Sequence, residues 1–274
     1  MAETHEAILP DRYRAGVDRF MRRDFRKRLS KAFFAVRVMH GTRESLADAN
    51  EYEGPLLVVF NHPGWWDPIA GKHIGYELMP DRPTLAPMDR DQVERFAFFR
   101  WLGLFGIDPD DPAVLEPMVD FVRTRFAENP KRSFWITAQG QFTDVRAPIR
   151  LRPGAAALAA RLDRPRVVVL SFEYTFWQDT KPEVFVRGDT CETPEGDSTT
   201  AWLRAMTSAL QQNQDKLAKA VIARQTDAFE ILLGGEEAKI NPFYDLWLKV
   251  RGKGGSVPMR DRNSEQHNHN GETP

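Results

Sequence analysis

Alternating strand-like and helix-like segments predict an α/β fold in which a mainly parallel or mixed sheet is flanked by helices. Short apolar runs recur along the chain, and longer segments with helical periodicity separate them. A helix that follows a strand returns the chain to the same edge of the sheet, so this order favours parallel pairing. Hydrophobic residues make up 42% of the 274 positions, which is enough for a sizeable core. We therefore expect one compact domain with appendages.

Residues 1–40 are predicted to form a basic, amphipathic helical segment. From Arg22 to Arg37 the chain has seven basic residues and one acid, Asp24. Apolar residues recur there at near-helical spacing: Phe20, Phe25, Leu29, Phe33 and Val36. Such a helix can lie in an anionic membrane interface, and we expect a peripheral membrane contact through residues 17–37. A helix that packs its apolar face on the domain and keeps its charges in water has the same pattern, and it stays open as the alternative.

Residues 41–252 are predicted to form the α/β domain, whose elements alternate along the chain. The strands are expected at 56–60, 83–88, 133–137, 167–172 and 184–187. The helices are expected at 68–78, 91–101, 113–128 and 199–233, with a shorter one from 241 to 251. Residues 253–274 are polar and glycine-rich, so we expect a disordered tail.

Composition argues against several classes of protein. Because 38 basic side chains face 39 acidic ones, for a formal charge of -1, we expect no nucleic-acid partner. A single cysteine, Cys191, excludes an internal disulfide framework and a cysteine-based zinc site, and fits a reducing compartment. No run approaches the roughly 20 apolar residues that span a bilayer, and the first residues lack a signal-peptide pattern. We therefore expect a cytoplasmic protein, peripheral on the inner face of the membrane, without a metal site or a cofactor.

The segment that bears most directly on function is Asn61-His62-Pro63-Gly64-Trp65-Trp66-Asp67-Pro68. His62 should lie just beyond the carboxyl end of the strand at 56–60, where open α/β sheets bind ligands. Asp67 falls where the next helix begins, and a carboxylate there can reach back to the imidazole. It would fix the tautomer of His62 and stabilise its protonated form, as a general base requires. An ordinary turn followed by a helix-capping aspartate is the alternative for this pattern.

These residues resemble the first sequence block of the glycerolipid acyltransferase family, typified by 1-acylglycerol-3-phosphate acyltransferases. The shared features are a histidine and an aspartate separated by four residues, after an apolar strand and with a tryptophan before the aspartate. The resemblance extends over residues 40–190, where the segments 101–108, 134–142, 150–157 and 167–172 resemble later blocks more weakly. It implies a glycerolipid-acyltransferase-like fold and an enzyme of lipid metabolism, such as phospholipid biosynthesis.

The third block departs from the family pattern. By position, Gln139 replaces a glutamate, Gln141 a threonine and Phe142 an arginine, while Gly140 is kept. Phenylalanine cannot make the bidentate contact of arginine with a phosphate, so we expect an acceptor without a recognised phosphate. Gln139 adds two N–H donors, which suit a neutral lipid or glycolipid hydroxyl. Three nearby basic residues could supply the charge instead or form a solvated face: Arg146, Arg150 and Arg152.

The resemblance implies that His62, oriented by Asp67, takes the proton of an acceptor hydroxyl while that oxygen attacks an acyl thioester. The donor is then acyl-CoA or acyl carrier protein, and the residues do not choose between them. Two alternatives use the same site. One is a hydrolase that splits thioesters or esters with water, and the other is a non-catalytic lipid-binding protein.

The predicted substrate-binding residues surround this pair in the sequence. Oxyanion charge would be stabilised by the backbone amides of Gly64 or Gly140, or by the side chain of Gln139. Asn61 belongs to the first block, and Trp65 is expected to form one wall of an apolar pocket for the acyl chain.

Overall fold

The computed structural model describes residues 7–177 and 179–235, and it shows an α/β protein. An eight-stranded mixed sheet is flanked by helices, which confirms the predicted class. The strands are β1 Ala35–Met39, β2 Leu56–Phe60, β3 Thr84–Asp89, β4 Leu104–Ile107, β5 Ser133–Thr137, β6 Arg166–Thr175, β7 Glu183–Cys191 and β8 Phe229–Gly234. The α-helices of the described residues are α1 Ala15–Ala32, α2 Thr42–Glu51, α3 Asp67–Leu78, α4 Arg90–Arg95, α5 Leu115–Glu128, α6 Gly154–Ala159 and α7 Thr199–Ile222.

The strands lie in the order β4-β3-β5-β2-β6-β7-β1-β8. The five strands from β4 to β6 are mutually parallel, β6 and β7 are antiparallel, β7 and β1 are parallel, and β1 and β8 are antiparallel. β2 is therefore enclosed by two parallel neighbours, and all five of its residues are buried. A strand in this position needs apolar side chains on both faces, which accounts for the continuous run Leu56-Leu57-Val58-Val59-Phe60.

The two faces of the sheet carry separate hydrophobic clusters. Leu57 and Val59 pack in the cluster that includes residues of α5, α6 and α7. Leu56, Val58 and Phe60 pack in the cluster that includes residues of α1, α2 and α3. The end of the sheet where β2 stops at Phe60 therefore lies between two layers of helices.

Helix α3 approaches the sheet closely because two of its glycines, Gly71 and Gly75, face the ring of Trp135. A Cβ atom at Gly75 would lie 3.2 Å from Cζ2 of this ring, and one at Gly71 would lie 3.4 Å from Cζ3. A larger side chain at Gly75 would push the helix outward. This packing sets the position of Asp67, the first residue of α3.

Helix α1 packs part of its apolar face on the domain, as the alternative to membrane insertion expects, while Phe20 is 69% exposed. Phe25 and Leu29 are buried, and the ring of Phe25 lies 6.4 Å from that of Tyr76 in α3. A buried ion pair adds to this contact, since Nζ of Lys72 donates to Asp18 over 2.7 Å. Membrane contact through the apolar face of α1 would require this packing to open.

Three predicted elements need correction. Residues 33–37 do not continue the first helix, because α1 ends at Ala32 and Ala35–Met39 is a strand between β7 and β8. The helix predicted at 91–101 divides at Phe96 into α4 and a 3-10 turn, Ala97–Leu102. The helix predicted at 199–233 ends at Ile222, and 229–234 form β8 on β1, so sheet pairing overrides local helical periodicity.

Several predictions concern residues that the structure does not describe. The helix at 241–251 and the tail at 253–274 lie outside the described residues, and the boundaries of the 41–252 domain stay a prediction. Within residues 7–177 and 179–235, no helix has both the length and the apolar character needed to cross a bilayer.

Candidate active site

His62 lies just beyond the carboxyl end of β2, where the loop that follows β5 holds its backbone. The N–H of His62 donates to Oε1 of Gln139 over 2.9 Å. The carbonyl oxygen of His62 accepts from the N–H of Thr143, also over 2.9 Å. Both backbone polar groups of His62 thus have partners in the loop that follows β5.

The imidazole of His62 and the carboxylate of Asp67 are in direct contact. Nδ1 of His62 lies 2.7 Å from Oδ2 of Asp67. The same oxygen accepts from the N–H of Gly64 over 2.9 Å, so the turn between the two residues is closed by Asp67 itself. The carboxylate of Asp67 is fully buried and accepts a hydrogen bond from Nδ1 of His62. In the tautomer that donates from Nδ1, Nε2 of His62 is free to accept a proton. The side chain of His62 is 18% exposed, so the imidazole is accessible from solvent.

A tyrosine on the neighbouring strand completes the shell around Asp67. The hydroxyl of Tyr174 in β6 donates to Oδ1 of Asp67 over 2.6 Å. Burial of Tyr174 raises its pKa well above the ordinary value, and the negative charge of Asp67 and the hydrogen bond to it raise it further. Tyr174 therefore remains protonated at neutral pH and acts as a donor.

Asn61 is buried and bonds to the backbone, and it is not part of the exposed surface of the site. It is 2% exposed, and its Nδ2 donates to the carbonyl of Phe172 over 2.9 Å and to Oε1 of Gln214 over 3.1 Å. Its Oδ1 accepts from the N–H of Phe172 over 2.8 Å. Asn61 thereby ties the end of β2 to β6 and α7, and its amide has no free group for a substrate.

Two exposed aromatic side chains continue outward from the imidazole. The ring of Phe142 lies 4.5 Å from that of His62, and the ring of Trp65 lies 5.4 Å from that of Phe142. Phe142 is 48% exposed and Trp65 is 83% exposed. Trp65 therefore lies at the rim of the site and forms an apolar surface there together with Phe142.

The two backbone N–H groups predicted to stabilise an oxyanion already have partners. The N–H of Gly64 is bonded to Asp67, and the N–H of Gly140 donates to the carbonyl of Thr137 over 3.0 Å. The side-chain oxygen of Gln139 holds the backbone of His62, and Gln139 is 7% exposed. Gln139 and Gly140 thus shape the loop around His62. The N–H of Gly140 is not an open donor toward a substrate, whereas the side-chain N–H groups of Gln139 have no hydrogen-bond partner among the described residues.

Among the described residues, no side-chain contact links Arg146, Arg150 or Arg152 to His62. Arg146 is exposed and binds Asp144 with both Nε and Nη2, at 2.8 and 2.6 Å. Arg152 donates to the carbonyl of Pro109 over 2.9 Å and to Asp110 over 3.2 Å. Arg150 is exposed. Arg146 and Arg152 already have carboxylate partners, so a phosphate would have to compete with Asp144 or Asp110.

No family model matches this chain, and no curated protein matches it. The acyltransferase resemblance therefore depends on the motif residues alone, and the site must be judged by its geometry.

Tyr174 is the functional candidate that sequence reasoning missed. It follows the strand predicted at 167–172, and no motif in the sequence includes it. A signal was available, because Tyr174 alternates with Phe172 and so points to the same face of β6 as that core residue. The sequence did not indicate that β6 lies beside β2 in register Phe60↔Leu170, which brings Tyr174 to Asp67.

Proposed function

We propose that this protein is an acyltransferase that moves a fatty acyl group from a thioester donor to a hydroxyl of a lipid or lipid-like acceptor. The observation that supports this most is the 2.7 Å contact between Nδ1 of His62 and Asp67 beside a partly exposed imidazole. A buried carboxylate behind a reachable histidine is the arrangement that general-base catalysis requires. The glycerolipid-acyltransferase-like fold is part of the same proposal.

The proposed reaction needs no covalent enzyme intermediate. Nε2 of His62 removes the proton of the acceptor hydroxyl while that oxygen attacks the thioester carbonyl carbon. The carbon–oxygen bond forms, the carbon–sulfur bond breaks, and the departing thiolate takes the proton back from His62. Asp67 stabilises the imidazolium that exists between the two proton transfers. The amino-terminal end of α3, which begins at Asp67, has a partial positive charge that stabilises the carboxylate of Asp67.

The surroundings of His62 support an acceptor without a recognised phosphate. The exposed ring of Phe142 contacts the imidazole and the exposed ring of Trp65 contacts Phe142, and both provide apolar surface and no charge. Arg146 and Arg152 are engaged by acidic side chains. We therefore favour a neutral hydroxyl-bearing lipid over a lysophospholipid as the acceptor. The proposed donor is acyl-CoA or acyl carrier protein, and no cofactor is proposed.

The exposed face of α1 supports a peripheral contact with anionic lipid, of an electrostatic kind. Among the described residues, five exposed basic side chains on this helix have no acidic partner: Arg19, Arg23, Arg26, Lys27 and Lys31. The carboxyl end of α1 lies near the site, because the ring of Phe33 is 5.1 Å from that of Trp66. A contact of this kind would bring the catalytic edge toward the inner face of a membrane.

The catalytic proposal is tested by replacing the base. His62→Ala should lower acyl transfer from a labelled acyl thioester to a membrane lipid extract by about 10²- to 10⁴-fold, the usual contribution of a general base. His40→Ala is the matched control, because His40 is an exposed histidine whose Nε2 contacts a backbone carbonyl at Asp227. Lipid mass spectrometry identifies the acylated product. Near-normal transfer by a folded His62→Ala protein would refute the assignment.

The hydrolase alternative is distinguished from the transferase by whether release of free thiol depends on the acceptor lipid. For a transferase, release of free thiol from the donor rises with added hydroxyl lipid and the acyl group appears in that lipid. A hydrolase releases thiol and free fatty acid at the same rate without the lipid. Stoichiometric lipid capture with no turnover would instead identify a lipid-binding protein.

The membrane proposal is tested by reversing charge on α1 while leaving its buried face intact. A variant with Arg23→Glu, Lys27→Glu and Lys31→Glu should bind anionic vesicles at least about 100-fold more weakly, since each basic residue contributes about 1 kcal/mol. The control reverses three exposed basic residues on α5 and α7: Arg123, Arg204 and Lys216. Equal binding by the two variants would exclude α1 as the contact.

A further inference from the structure

Tyr174 has no role in the motif or in the acyltransferase resemblance, although its hydroxyl contacts the candidate catalytic pair. We infer that Tyr174 is a positioning residue, which holds Asp67 in the orientation where Oδ2 accepts from Nδ1 of His62. The 2.6 Å hydrogen bond to Oδ1 of Asp67 carries this inference. Its consequence for turnover rests on the proposed acyl transfer, whereas its consequence for the His62–Asp67 hydrogen bond does not.

The two oxygens of Asp67 have separate partners. Oδ1 accepts from Tyr174, while Oδ2 accepts from the N–H of Gly64 and faces Nδ1 of His62. A rotation about the Cβ–Cγ bond that tilts the plane of the carboxylate away from these partners would break all three contacts, whereas a half-turn only exchanges two equivalent oxygens. Because Asp67 is fully buried, water cannot replace a lost donor at low cost. Tyr174 thereby helps to hold the plane of the carboxylate in the orientation where one oxygen faces the imidazole.

Tyr174 is itself held in place by the fold. It lies in β6 opposite Val184 of β7, and its ring is 5.6 Å from that of Phe33, just beyond α1. The hydroxyl therefore has little freedom to move away from Asp67.

The test is Tyr174→Phe, which removes the hydroxyl and keeps the ring that packs on Phe33. We expect kcat to fall by about 10- to 100-fold with KM unchanged, by analogy with the loss of an outer hydrogen-bond partner of a metal-bound histidine. We also expect the proton resonance of Nδ1–H of His62 to move or to vanish through exchange with solvent. That resonance is assigned in the NMR spectrum by its absence in His62→Ala.

Tyr76→Phe is the matched control for loss of a tyrosine hydroxyl. The hydroxyl of Tyr76 in α3 donates to Oδ1 of Asp18 over 2.7 Å, which is the same chemical contact away from His62. This variant measures the cost in stability of removing such a bond. We expect it to leave both kcat and the His62 resonance unchanged.

The outcomes distinguish the two proposals. An unchanged His62 resonance together with wild-type kcat in Tyr174→Phe overturns the positioning role, as does an equal loss of kcat in Tyr76→Phe. If the His62 resonance changes in Tyr174→Phe while the wild-type protein transfers no acyl group, the positioning role stands and the proposed function fails.

Discussion

The buried histidine of α3 predicts how the stability of this protein depends on pH. His73 is fully buried, and neither ring nitrogen has a hydrogen-bond partner among the described residues. Burial lowers the pKa of His73 from 6.5 to about 4; Glu77 opposes this shift, while Arg26 and Arg22 of α1 strengthen it. The Glu77 oxygen lies 3.9 Å from Nδ1, which is too far for a strong hydrogen bond.

The sign and size of the effect follow from proton linkage. Between pH 6.5 and 4 the unfolded chain binds a proton at His73 that the folded protein does not bind, so acid favours unfolding. The contribution is fully present above pH 6.5 and is lost as the pH falls through about 4. At ~1.36 kcal/mol for each pKa unit, the loss amounts to about 3 kcal/mol.

The assay compares the wild-type protein with His73→Leu in urea at several pH values. Tryptophan fluorescence and circular dichroism give the free energy of unfolding, provided that the two transitions coincide. We expect the wild-type protein to lose about 3 kcal/mol more than His73→Leu between pH 7 and pH 4, because all other groups titrate alike in both. His40→Leu, which changes an exposed histidine, should follow the wild-type curve. A difference between wild type and His73→Leu that does not vary with pH would refute the reasoning, and would mean that Glu77 compensates the charged imidazole.

Three further substitutions separate structural from functional residues at the site edge. Asn61→Ala leaves the backbone groups of Phe172 unpaired and should lower the free energy of unfolding by about 1–3 kcal/mol, measured by urea denaturation. Gly140→Ala forces a side chain into a φ of +71° and should cost about 1–2 kcal/mol in the same measurement, with Gly16→Ala as an exposed glycine control. Trp65→Ala should change stability by no more than about 0.5 kcal/mol, because Trp65 is 83% exposed, and should raise KM for the lipid substrate. An equal loss of stability in Trp65→Ala and Asn61→Ala would contradict this division.

The central part of the fold could be predicted from the sequence because local pattern and tertiary position agree there. The run at 56–60 is apolar throughout, as a strand enclosed on both sides must be, and the helix at 68–78 begins with Asp67-Pro68. The motif spacing therefore indicated the geometry of His62 and Asp67. Both residues lie in one strand–turn–helix unit, so no long-range information was needed.

The rest depended on contacts between distant parts of the chain. Ala35–Met39 could be a strand only because β7 and β8 lie on either side, and Phe229–Gly234 became a strand by pairing with it. Tyr174 reaches Asp67 only when β6 lies beside β2. The partners of Gln139 and Arg152 likewise come from separate loops, and short-range spacing contains no information about such contacts.

The place of β1 within the sheet has a consequence for the order of assembly during synthesis. β1 emerges from the ribosome early, but both strands that enclose it, β7 and β8, are made much later. Until then, its backbone donors and acceptors can pair with other chains, a period when chaperone protection would matter most.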